Sequence, residues 1–135
     1  MIVVDSSAFV EYYRPGGRAL VAECVARAIA ADEVCCNGII QVEIVTFARG
    51  EAARQKLAAD FSAFHWLELR RGDFELAQEV GYELRGKGVT IPTTDLIIAA
   101  STIRAGAILY HLDGHFEQIE QHSELRQRSF LGETE

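Results

Sequence analysis

The chain alternates short, β-branched apolar runs with longer stretches whose apolar residues recur every three or four positions, and that alternation most restricts how it can fold. Ile2, Val3 and Val4 form an uninterrupted run ahead of Asp5, the pattern of a strand buried on both faces of a parallel sheet. Ser6 and Ser7 are placed to cap a short helix reaching Tyr12. Arg14-Pro15-Gly16-Gly17 breaks it, and Leu20, Val21, Cys24, Val25 and Ala28 mark a second helix. Val34 to Cys36 reads as a second strand, after which Asn37-Gly38 turns the chain into a helix from Ile39 to Arg49, ended by Gly50. Leu57, Phe61 and Phe64 share a face of the next helix, and Phe74, Ala77, Val80 or Gly81, and Leu84 share a face of a longer one, with a weak strand from Trp66 to Leu69 between them. Thr93 or Thr94 is placed to cap a helix from Asp95 to Arg104, apolar nearly all round and therefore central. Ala107 to Leu112 reads as a strand, and Phe116 and Ile119 belong to a short helix after it.

Such an alternation predicts the α/β class: a three-layer α/β/α sandwich around a mainly parallel sheet, with ligands gathering beyond the carboxyl ends of the strands. At 135 residues one domain is expected, over 1–130, with a polar tail over 131–135 that should fray. The nearly uncharged run from Thr90 to Ile103 is too short to span a bilayer, and no basic segment precedes an apolar one at the N-terminus. The three cysteines form neither an even disulfide framework nor a zinc-ligand spacing. They read as buried thiols in a reducing cytoplasm, where the protein is expected to reside.

Thirteen basic and twenty acidic side chains give a net charge of −7, so the molecule as a whole repels polyanions. Any nucleic-acid contact has to be local. No basic run exists, which leaves Arg14, in the loop after the first short helix, and Arg85 and Lys87, in the loop before Asp95, as candidates for phosphate contacts.

Four acids stand in apolar surroundings. Asp5 ends the first strand, Glu43 shares a helix face with Ile39, Ile40 and Phe47, Asp95 opens the most apolar helix, and Asp113 follows the strand that ends at Leu112. Each has an ordinary explanation: a helix N-cap for Asp5, an Arg partner for Glu43, a dipole complement for Asp95, a turn acid before Gly114 for Asp113. None of these explains why all four converge on one end of the sheet. Four carboxylates about 6 Å apart would repel by roughly 3 kcal/mol per pair at an effective dielectric near 20. A hard divalent cation, Mg²⁺ or Mn²⁺, is the natural counter-charge, because it prefers carboxylate oxygen and water.

Asp5 in Val-Val-Asp-Ser-Ser, Glu43 in Ile-Ile-Gln-Val-Glu-Ile, Asp95 in Thr-Thr-Asp-Leu-Ile-Ile-Ala-Ala and Asp113 in Leu-Asp-Gly-His-Phe follow one another in an order that resembles a PIN domain. More narrowly, the chain is similar to the VapC toxins of bacterial toxin–antitoxin pairs, over Met1 to about Phe130. The resemblance implies a Mg²⁺-dependent endoribonuclease that cleaves RNA phosphodiester bonds. It also implies a homodimer, inhibited by a small cognate antitoxin that enters the acidic groove. By motif match Asp5, Glu43, Asp95 and Asp113 would be the catalytic, metal-binding acids, with Ser6 or Ser7 assisting through a hydroxyl. His111 departs from the pattern, which commonly has Thr or Ser two residues before the fourth acid.

Three other readings compete. His111, Asp113 and His115 alternate along a strand end and offer a zinc site, but lack a fourth ligand. A phosphoacceptor signalling domain would need paired acids after its first strand and a late lysine, whereas Ser6-Ser7 follows Asp5 and the lysines are Lys56 and Lys87; a haloacid-type phosphatase would need Asp in place of Ser7. A catalytically silent PIN fold acting as a binding module would not need all four acids.

Overall fold

Ile2–Val4 forms strand β1 with all three side chains buried, as a doubly covered central strand requires. The computed structural model describes residues 1–133. Helix α1 (Ser6–Tyr13) and helix α2 (Ala19–Ala30) carry the chain to strand β2 (Val34–Cys36). Helices α3 (Gly38–Val45) and α4 (Glu51–Ala63) then lead to the two-residue strand β3 (His65–Trp66). Helices α5 (Arg71–Gly86) and α6 (Thr93–Ala105) return it to strand β4 (Ile108–His111), and helix α7 (Gly114–Glu120) leads to strand β5 (Arg126–Ser129).

The strands lie in the order β3-β2-β1-β4-β5 and every neighbouring pair is parallel. From β1 the chain moves outward through β2 to β3, then crosses back to β4 on the other flank. Right-handed crossovers in opposite directions put α1–α4 on one face of the sheet and α5–α7 on the other. The sheet therefore reverses direction between β1 and β4, paired as Ile2 with Ile108, Val3 with Leu109 and Val4 with Tyr110. Phe9, Ile40, Leu84, Ile98, Leu109, Phe116 and Phe130 fill the layers between helices and sheet.

Several local expectations are corrected. Asp5, not Ser6 or Ser7, is the N-cap of α1, because the preceding strand leaves its carboxylate facing the free Ser7 amide at 3.0 Å. Pro92 precedes α6 without any side-chain cap, and Thr93 and Thr94 lie inside its first turn. Helix α3 stops at Val45 rather than Arg49, and Gly50, at φ 94°, starts α4 instead of ending α3. Phe47 is consequently outside the helix and 69% exposed, so the inward face of α3 is Ile40 and Ile44. Phe74 is also 40% exposed rather than in the core, while Ala77, Val80 and Leu84 pack inward as expected. The weak strand is shifted to His65–Trp66, and Arg85 lies in the last turn of α5 with Lys87 as its C-cap, not in a loop. Cys35 and Cys36 are buried, with the Cys36 thiol pushed up to about 12 by burial, but Cys24 is only half-buried.

Near the C-terminus Leu131 N–H donates to Ser129 Oγ and Arg128 pairs with Glu133 at 3.4 Å. Thr134 and Glu135, the end of the stretch expected to fray, lie outside the described residues. Among the described residues no helix is long and apolar enough to cross a membrane.

Candidate active site

The carboxyl ends of β1 and β4 are adjacent at the reversal point of the sheet, and both lead into an acid: Asp5 follows β1, and Asp113 stands two residues after β4. Asp5 is 3% exposed, and its Oδ2 accepts from Ser7 N–H at 3.0 Å and from Ser7 Oγ at 2.6 Å. Ser7 Oγ in turn accepts from Leu112 N–H at 3.0 Å, so one hydroxyl ties the end of β1 to the segment carrying Asp113. Ser6 Oγ donates to Glu43 Oε1 at 3.2 Å and steers that carboxylate toward the cleft. The two adjacent hydroxyls thus each position a different acid.

Glu43 does not sit in the core stripe of α3; it lies half-buried on the flank of Ile40 and Ile44, with no Arg partner among the described residues. Asp95 projects from the first turn of α6, 8% exposed. Asp113 is the N-cap of α7, its Oδ1 accepting from His115 N–H at 2.9 Å. His115 Nδ1 lies 3.0 Å from Asp95 Oδ2 and 3.1 Å from Asp113 Oδ1.

These acids feel one another. Burial, reinforced by the Asp113 and Asp5 carboxylates, outweighs the nearby His115 and raises Asp95 from 3.8 to about 6. Burial also raises Asp5 despite the Ser7 hydrogen bonds, with Asp113 adding to the effect. Glu43 is raised by burial and then by Asp5, Asp95 and Asp113. Among the described residues no Lys or Arg forms an ion pair with any of the four. An all-oxygen set of under-compensated carboxylates is a donor set that fits a hard divalent cation.

His111, which stands where the resemblance leads one to expect Thr or Ser, is fully buried. Its Nδ1 accepts the Asp113 N–H at 3.0 Å, so its Nε2 carries the proton that reaches Gln127 Oε1. With both nitrogens engaged, His111 is not available as a zinc ligand beside His115. Of the candidate phosphate contacts, Arg14 spends its Nη2 on Glu11 at 2.7 Å, Lys87 Nζ lies 3.0 Å from His122 Nδ1, and Arg85 is exposed. The close approach of His115 to two of the acids is the feature that the residue pattern conveys least, since it depends on how α7 starts.

Comparisons with known proteins agree with this architecture. The family model described as PIN domain matches residues 2–121. The chain is 30% identical over 135 residues to VapC ribonuclease Mb1587 of Mycobacterium bovis and to ribonuclease VapC11 of Mycobacterium tuberculosis, covering 96% of this chain and 99% of each relative. Among solved structures, FitAB bound to an IR36 DNA fragment superposes with a TM-score of 0.75 at 17% identity, covering 96% of this chain and 94% of that one. VapBC2 from Rickettsia felis, bound to a DNA fragment from its promoter, gives 0.73 at 17% identity, covering 96% and 99%. VapC20 of Mycobacterium tuberculosis, described as a sarcin–ricin loop cleaving toxin, gives 0.64 at 21% identity over 87% and 93%. With a domain match over most of its length and curated relatives at this identity, the chain belongs to the PIN-domain family and, within it, groups with the VapC ribonucleases.

Proposed function

We propose that this protein is a divalent-metal-dependent endoribonuclease and the toxin of a toxin–antitoxin pair, with Asp5, Glu43, Asp95 and Asp113 as its catalytic, metal-holding acids. The observation that carries the reading is the convergence of four carboxylates, three of them raised by burial and mutual repulsion, without a Lys or Arg counter-charge among the described residues. The names of the VapC relatives supply the RNA substrate class, and the neighbouring VapBC complexes supply the partner class. Bound among these oxygens, Mg²⁺ or Mn²⁺ would activate a water and neutralise charge on the phosphodiester.

The chain's own residues would bind and orient. Ser7 fixes the Asp5 carboxylate and Ser6 fixes that of Glu43, so neither has to be ordered when substrate arrives. Asp95 is held by the first turn of α6 and Asp113 by its cap on α7. Arg85 would meet the RNA backbone, with Lys87 and Arg14 contributing less, because His122 already engages the one and Glu11 the other. The same reading extends to a cytoplasmic homodimer that binds a cognate antitoxin.

The purified chain should cleave RNA with Mg²⁺ or Mn²⁺ and stop when EDTA is added, and folded Asp5→Asn should be inactive under all these conditions. Cleavage by Asp5→Asn at the wild-type rate would remove the acids from the mechanism. An inert but RNA-binding wild type would favour the silent binding module instead.

A further inference from the structure

His115 is the residue that brings a nitrogen, rather than another oxygen, to this cleft. Its Nδ1 lies at 3.0 Å from Asp95 Oδ2 and 3.1 Å from Asp113 Oδ1, and the three donor atoms fall within 4.8 Å of one another. One ring nitrogen carries either a proton or a lone pair, so a hydrogen bond from it fully serves only one of the two carboxylates. A cation among the three serves all of them. When metal–ligand bonds are about 2.0–2.2 Å, adjacent ligands of an octahedral ion lie about 3 Å apart, which is the spacing of both N···O pairs. The site is partly open, with the His115 side chain 40% exposed, which leaves room for water and substrate.

We propose that His115 ligates through Nδ1 the same divalent ion that Asp95 and Asp113 hold, and that this nitrogen shifts the preference of the site from Mg²⁺ toward first-row transition ions. The proposal rests on the metal reading above and deepens it. Mg²⁺ dehydrates reluctantly and keeps oxygen around itself, whereas the affinity of a mixed nitrogen and oxygen site rises from Mn²⁺ along the transition series to Cu²⁺. Nitrogen from His111 is not an alternative, since its two ring nitrogens are engaged by Asp113 N–H and Gln127.

Pulsed electron paramagnetic resonance of the full chain loaded with substoichiometric Mn²⁺ tests this directly. The expected spectrum shows ¹⁴N modulation from a bound imidazole, converted to ¹⁵N frequencies when the histidines are ¹⁵N-labelled and lost in His115→Ala. Removing an outer-shell partner commonly costs 10–100-fold in metal affinity. Loss of a direct ligand should therefore weaken Mn²⁺ at least about tenfold by calorimetry, and Mg²⁺ much less. If His115→Ala does not fold, the labelled wild-type spectrum together with His115→Gln carries the test. Mn²⁺ bound by wild type without nitrogen modulation, or modulation that persists in a folded His115 variant, overturns the proposal while leaving the carboxylate site standing. Failure of wild type to bind either Mn²⁺ or Mg²⁺ overturns the metal reading itself, and this proposal with it.

Discussion

Asp95 and Asp73 are both buried acids at the third position of a helix, and their surroundings shift them in opposite directions. Burial pushes both upward, but Asp73 meets the Arg104 guanidinium at 2.6 and 3.0 Å and ends below the usual carboxylate range, whereas Asp95 meets other carboxylates and rises to about 6. The signs of their pH effects therefore differ. The folded state binds the Asp95 proton more tightly than the unfolded chain does, so this group's contribution is complete below about pH 4 and is lost as pH rises through 6. In EDTA the loss between pH 4 and 7 should be on the order of 2–3 kcal/mol, with Asp5 and Glu43 acting in the same direction. Asp73, being lowered, contributes at neutral pH and loses its contribution only in acid. Denaturant titrations of chelated protein at pH 5 and pH 7 should show the decline, and Asp95→Asn should flatten it; an unchanged profile in the variant would assign the decline elsewhere. The four cleft acids are readable in the sequence because a charge in an apolar flank needs a reason. His115 is readable beside Asp113 from their two-residue spacing, but its approach to Asp95 is not, because it is made by α6 and α7 meeting in space, at a separation of twenty residues along the chain.

At the level of elements, the order of strands and helices follows from periodicity, but their ends follow from contacts that periodicity does not contain. Strand β5 is invisible to an apolar pattern: Arg126, Gln127, Arg128 and Ser129 form an edge strand that is only partly covered, and it exists because β4 offers a parallel partner. The caps of α1 and α6 differ from what the residue pattern predicts for a similar reason, since the geometry of the incoming chain decides which side chain faces the free amides. Two contacts outside the cleft hold elements together, one an ion pair and one a close backbone approach. Arg104 joins α6 to the start of α5 through Asp73 and through the Glu68 carbonyl at 2.6 Å. Arg104→Ala strands the buried Asp73 and should cost about 3–5 kcal/mol, read from urea unfolding at pH 7; a loss below 1 kcal/mol would show that water replaces the pair at little cost. The turn after α1 brings Gly17 so close to the Glu11 carbonyl that a Cβ would lie 1.8 Å from its oxygen. Gly17→Ala must therefore move backbone and should lose about 1–3 kcal/mol in the same assay, while Gly72→Ala, with open space around it, should lose none from steric contact.

Over the whole molecule, a net charge of −7 surrounds a cleft that itself carries four acids, so the site favours cations and resists the RNA it is proposed to cut. On the proposed reading, a metal ion and an antitoxin would compete for the same four carboxylates. An antitoxin segment that presents Arg or Lys to Asp5, Glu43, Asp95 and Asp113 would bind more weakly as Mg²⁺ rises, by the same factor by which it weakens Mg²⁺ binding. Titrations at low and high Mg²⁺ and constant ionic strength measure that factor, and equal affinities would place the antitoxin contact outside the cleft. The claim beneath all of this is that the acids are a frustrated cluster relieved by a divalent cation, and thermal melting of wild type and Asp95→Asn at pH 7, in EDTA and with Mn²⁺, tests it most directly. The chelated variant should melt above the chelated wild type, and Mn²⁺ should raise the wild type well beyond what it does for the variant. A chelated wild type that melts higher than Asp95→Asn and does not respond to Mn²⁺ would contradict it.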